Sequence, residues 1–134
     1  MIDIENQVFS KVSEDVRATY PDANMTSEET LSPPSFPCVS VVEIDNYVVK
    51  ETLDSSLIEN HARVTYEVNV FVNNASNKKA ECKKIFNIVD KRLMNMGFVR
   101  TTKLFTSTNN STVCRLTGRY TAVVSKDEII YGGY

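Results

Sequence analysis

Glycine is scarce in this sequence, and none of its four glycines lies where a bound phosphate would need one. The stretch "VNNASNKKAE" (72–81) passes from a strand-like segment into a basic, helix-like one, the joint at which many α/β enzymes cradle a phosphate. Such a loop needs glycines so that backbone amides can converge on the anion. Without them, Ser76 or Asn77 reads as the cap of the following helix, and Lys78 and Lys79 as its solvated first turn. Histidine is rarer still. His61 stands alone at the start of a strand, with no nucleophile at a recognisable spacing, and reads as a loop or surface residue rather than a general base. There is no G-x-S-x-G elbow, and Asp54, Glu59 and Glu67 form neither a spaced carboxylate pair nor a metal-ligand run. The three cysteines, Cys38, Cys82 and Cys114, are odd in number and widely spaced. That pattern is neither a disulfide framework nor a zinc site, and leaves them as small buried hydrophobes. The expectation is a protein without metal, cofactor or catalytic residue.

An excess of charge of one sign is also missing. A net charge of -2 supplies no general positive field to draw the chain to nucleic acid by counterion release. No apolar run is long enough to span a bilayer. The opening "MIDIENQVFS" carries acids and does not resemble a signal peptide, so the chain is expected to be made and kept, or assembled, in the cytosol. A length of 134 residues suits one domain, 1–134, with a single core.

What is present is periodicity. Ile4, Val8, Val12, Val16 and Tyr20 recur four apart and predict an amphipathic helix from Asp3 to Tyr20, with Asp3 at its start and Pro21 stopping it. Residues 22–37 hold three of the four prolines and read as an extended loop. "CVSVVEI" (38–44) reads as a first strand, with Val39, Val41 and Glu43 on one face. In "ARVTYEVNVFV" (62–72), Ala62, Val64, Tyr66, Val68, Val70 and Val72 alternate with Arg63, Thr65, Glu67 and Asn69, which predicts a sheet covered on one side only. Cys82, Ile85, Phe86, Val89, Leu93 and Met96 return at helical spacing up to Gly97. Two strands follow, 98–106 and 112–124. The predicted fold class is α+β: a mostly antiparallel four-stranded sheet with two helices on one face, in the order α-β-β-α-β-β.

Three features point to contacts with other molecules. The strand face away from the helices carries Arg63, Glu67, Arg115 and Arg119, whose alternating signs suit pairing across a subunit interface. Residues 45–60, with Tyr47, Val48, Val49, Leu53, Leu57 and Ile58, follow neither period and read as a long excursion of the kind that tends to be functional. The C-terminal arm 127–134 ends in Ile129, Ile130, Tyr131 and Tyr134 and reads as a docking element. The basic helix back, interrupted by Glu81 and Asp90 and lacking interleaved aromatics, reads as a solvated face rather than a nucleic-acid platform.

The order of a leading helix, "SPPSFPCVSVVEIDN", "YEVNVFVNNASNKKAECKKIFNIVDKRLMNMGF" and "GRYTAVVSKDEIIY" resembles the small tail terminator, or tail completion, proteins of tailed bacteriophages and phage-tail-like particles. The resemblance covers nearly the whole chain and rests on the order of elements. It implies a structural virion assembly protein: a homo-oligomeric ring, commonly a hexamer, that caps the tail tube, ends its polymerisation and joins the tail to the head-tail connector or neck protein. Its expected partners are its own copies, the tail tube protein, the connector and, in a contractile tail, the sheath. DNA would pass through the ring without being read. The implied location is the tail-neck region of the virion, assembled in the host cytoplasm. Two alternatives stay open: a small ligand-binding or regulatory α+β domain, and an enzyme whose site follows no readable motif.

Overall fold

The computed structural model describes residues 1–50, 60–74, 76–108 and 110–132. Helix α1 (Glu5–Thr19) is followed by strands β1 (Asn24–Thr26), β2 (Cys38–Val48) and β3 (His61–Val72). Helix α2 (Lys78–Asn95) then leads into β4 (Val99–Thr106), β5 (Cys114–Ser125) and β6 (Ile130–Gly132). The α+β class and the two helices agree with the sequence. The sheet differs in detail. It has six strands rather than four, in the order β1-β2-β3-β5-β4 with β6 also on β5, and it is mixed because β1 runs parallel to β2. The two unforeseen strands have three residues each, too few for any alternation to register.

The centre of the sheet is β3. Its even-numbered residues Ala62, Val64, Tyr66, Val68 and Val70 are wholly buried, and it pairs along nearly its full length with β2 on one side and β5 on the other. Against this face pack Val8, Val12 and Val16 of α1 and Ile85, Phe86, Val89 and Leu93 of α2, all within one cluster. Each such side chain contributes about 1.5–3 kcal/mol through its removal from water. Tyr66 meets the edge of Phe98, ring centres 5.6 Å apart at 86°.

The helix ends follow from local chemistry. Asp3 accepts the amide of Glu5 at 3.0 Å, one residue outside the capping position, which Ile4 occupies. Asn77 stands at the start of α2 but makes no side-chain cap; the neighbouring side-chain bond runs from Ser76 to Asn74. Gly97 closes α2 with φ 104°, a left-handed conformation open to glycine. The two helices are tied by a forked pair in which Arg92 Nε and Nη2 donate to Asp15 at 2.7 and 2.6 Å. That guanidinium holds the Asp15 carboxyl below its ordinary value.

Cys38 and Cys82 are buried and Cys114 is half-buried, so the cysteines behave as packing residues. Burial pushes the Cys38 thiol up to about 11 and that of Cys82 to about 12, where neither is ionised at neutral pH. No helix among the described residues is long and apolar enough to cross a membrane.

Gly118 lies where the Phe86 ring crosses β5, and a Cβ there would stand 2.5 Å from Phe86 Cζ. Because Phe86 is itself buried, Gly118→Ala is expected to destabilise the fold by about 1–3 kcal/mol. Denaturant unfolding checks this: the midpoint should fall with the slope unchanged.

Candidate interaction surface

The face of the sheet away from the helices is built by register. Cross-strand partners place Glu67 beside Arg119, Phe71 beside Arg115 and Arg63 beside Val123. Three of the four charged residues expected on this face join one network. Arg119 Nε donates to Glu67 Oε2 at 3.0 Å, and Asn69 Nδ2 donates to Glu67 Oε1 at 3.1 Å. Asn69 Oδ1 in turn accepts from Arg115 Nε at 2.9 Å and from Thr117 Oγ1 at 2.6 Å. Thr117 continues to Thr106 on β4 at 2.6 Å. The side chain of Arg119 remains 53% exposed, whereas that of Glu67 is 20% exposed, so the pair presents a cation outward over a half-covered anion. Opposite signs are thus matched first within the chain.

Asn69 organises this network and was not foreseen, although one polar residue inside the run "VNVFV" (68–72) is the available signal. It is 4% exposed, and Phe71 beside it is buried as well. This end of the face is roofed by the Pro-rich loop: Leu31, Pro33 and Phe36 line a cleft with Phe71, Thr108 and Val113. Arg115 sits over one wall of that cleft, its guanidinium 5.4 Å from the centre of the Phe71 ring. The open window of the sheet is therefore shorter than alternation alone implies, running through Val42, Glu67, Arg119, Thr65 and Tyr47.

Residues 45–48 are not the beginning of an excursion: they continue β2. The ladder skips between Glu43, opposite Tyr66, and Asp45, opposite Thr65, leaving Ile44 as a bulge. The extra residue reverses the alternation, so Tyr47 comes to the open face opposite Arg63 instead of pointing toward the helices. Val48 pairs with Ala62, and Val49 donates its amide to His61 O at 2.9 Å. The C-terminal segment is likewise stitched down rather than free. Ile130–Gly132 forms β6 on β5, Ile130 packs against the core, and the turn before it holds Glu128 at φ 64°.

These ladders bring two stretches far apart in sequence to one end of the sheet. Val48, Ala62, Val124 and Ile130 form a continuous rank across β2, β3, β5 and β6. Tyr47, Ile129 and Tyr131 are 50%, 51% and 54% exposed there, and Tyr131 meets the His61 ring at 5.6 Å. Leu53, Leu57, Ile58 and Tyr134 lie outside the described residues. Among the described residues, no cluster of His, Cys, Asp and Glu is placed to hold a metal ion.

At the bulge, Glu43 accepts from Tyr66 Oη at 3.2 Å and Asn46 Nδ2 at 3.3 Å. Asn46 also donates to Ile2 O at 2.8 Å, which ties the chain start to this segment. Burial raises the Glu43 carboxyl above its ordinary value, and the two donors only partly oppose that.

The folded state thus holds the Glu43 proton more tightly than the unfolded chain does, and stability from this group falls as pH rises through its folded value. Glu43→Gln keeps an acceptor for both donors. It should raise the melting temperature at pH 7 relative to the parent, with the gain vanishing near about pH 4, where the carboxyl is largely protonated in both states. Asn69→Ala leaves Arg115 and Thr117 without their acceptor and should cost about 1–3 kcal/mol in denaturant unfolding. Compared with known proteins, the chain matches no protein-family model and no curated sequence.

Proposed function

We propose that the chain is a structural subunit of a ring, and that the ring is the tail terminator of a bacteriophage or phage-tail-like particle. The observation that carries the reading is the convergence of Tyr47, Ile129 and Tyr131 at one end of a sheet whose open face also displays Arg119. Large exposed apolar side chains rimmed by charge are the ordinary composition of a protein-contact surface. The particle itself comes from the resemblance of the element order to tail terminators.

On this reading no bond is made or broken, and the protein is not an enzyme. The ring, commonly of six copies, seats on the last layer of tail tube protein and covers the surface on which the next layer would polymerise. Its opposite side offers a platform to the head-tail connector or neck protein, and a contractile tail adds contacts to sheath. DNA passes through the opening. Affinity in such an assembly comes from repetition, because each modest patch is used once per copy around a closed symmetry. The location is the tail-neck region of the virion, after assembly in the bacterial cytoplasm.

One observation favours the alternative of a small ligand-binding or regulatory domain. The cleft under the Pro-rich loop, between Phe36 and Phe71, has a volume of about 210 Å³. That lies below the range of about 300–1,000 Å³ usual for drug-sized ligands.

The test is a tube-capping assay. Full-length chain added to polymerising tail tube protein should halt elongation and appear as a ring at tube ends in negative stain. The double variant Tyr47→Ser, Ile129→Ser should weaken capping while changing stability by less than about 1 kcal/mol, since both side chains are half exposed. A chain that leaves tube growth untouched and instead shows a ligand-dependent melting shift abolished by Phe36→Ala would overturn the proposal.

A further inference from the structure

The net charge of -2 conceals a separation of sign across the sheet. Residues 1–49, which form α1, β1 and β2, hold nine acids and two bases; residues 78–126, which form α2, β4 and β5, hold two acids and eleven bases. From Ala18 to Val49 there is no Lys or Arg at all, and from Lys91 to Lys126 no Asp or Glu. Strand order converts this segregation along the chain into segregation in space. β1 is one edge of the sheet and β4 the other, about 19 Å apart at the usual strand spacing.

Each edge also carries exposed apolar side chains. On the acidic side, Glu28 and Glu29 line a cleft along β1 with Met25 and Pro34, and Ile44 stands exposed on β2 beyond the three residues that β1 covers. On the basic side, Leu104 and Phe105 of β4 are exposed, and the Lys79 ammonium lies 5.1 Å from the Phe105 ring centre. Lys103 projects from the same strand over Phe86.

We infer that the copies of the ring meet edge to edge, the basic β4 edge of one against the acidic β1 edge of the next. The inference rests on the ring proposed above and names its subunit contact. Like edges repel, which disfavours a dimer made by pairing β4 with β4 or β1 with β1. Opposite edges attract, and because they face away from one another within a subunit, each contact leaves a complementary pair of edges unsatisfied at the two ends of the growing assembly. A head-to-tail contact of this kind closes into a ring where the rotation from copy to copy completes a turn, and runs on as a filament where it does not. Unpaired backbone groups along β4 can add strand-to-strand hydrogen bonds once the charges have brought the edges together. The open face with Arg119 and Tyr47 is then left for the tube or connector.

The experiment is sedimentation of the full-length chain at high concentration in low salt, with two charge-reversed variants. Lys79→Glu, Lys103→Glu sets acids at the apolar patches of both edges, and Glu28→Lys, Glu29→Lys sets bases at both. All four positions are exposed, so both variants should fold. The parent should sediment as a ring that dissociates as salt is raised. Each variant alone should fall to the monomer mass, and an equimolar mixture of the two should recover the parent mass, because every contact in it again joins opposite signs. A ring that forms equally well in both variants overturns the edge assignment and leaves the ring standing. A parent that stops at two copies also overturns it. A parent that stays monomeric overturns the edge assignment and the ring together. Duplex DNA bound by the parent and released by Lys79→Glu, Lys103→Glu, with no change in mass, would assign the basic edge to nucleic acid instead.

Discussion

The structure depends on the unbroken two-residue alternation of β3. From Ala62 to Val72 the strand sends every second side chain into the core and pairs on both sides, so the neighbouring strands inherit their register from it. A slip of one residue would expose five fully buried side chains and bury charge in their place, which is why this strand tolerates one register only. Everything on the open face follows from that constraint. Glu67 meets Arg119, Asn69 meets Thr117 and Arg63 meets Tyr47 because the core side has already decided where the other side must stand.

Where a period ran without interruption, the sequence was legible. The stripe Val8, Val12, Val16 and the stripe Ile85, Phe86, Val89, Leu93 identify both helices, and Gly97 marks the end of the second. Legibility failed where a local irregularity reset the period. Residues 45–48 read as loop because the bulge at Ile44 puts the alternation out of phase, not because the chain leaves the sheet. β1 and β6 are held by neighbours rather than by their own composition, and three residues cannot announce a strand. Arg115 stands on the open face, yet the Phe71 ring that it sits over lines the cleft of the Pro-rich loop, whose path no local pattern encodes.

The same distinction applies to the contact residues. Alternation assigned Arg63, Glu67 and Arg119 to one face, but it could not show that Glu67 and Arg119 satisfy one another within the chain. Nor could it show that the end of β2 and strand β6 come to the same end of the sheet. The separation of acids from bases was present in the letters throughout, hidden by a sum near zero, and it gained meaning only when strand order set the two groups at opposite margins.

The bulge in β2 has an implication for how such a surface changes over generations. Its extra residue lies downstream of Val39 and Val41, so the strand's contribution to the interior is complete before the irregularity begins. Loss of the single codon for Ile44 would close the ladder with Asp45 still opposite Thr65 and Tyr47 still opposite Arg63, so both would stay on the open face. One in-frame deletion would thereby straighten the strand while leaving its interior and its outward side chains in place, a tolerance of length that a strand without a bulge lacks.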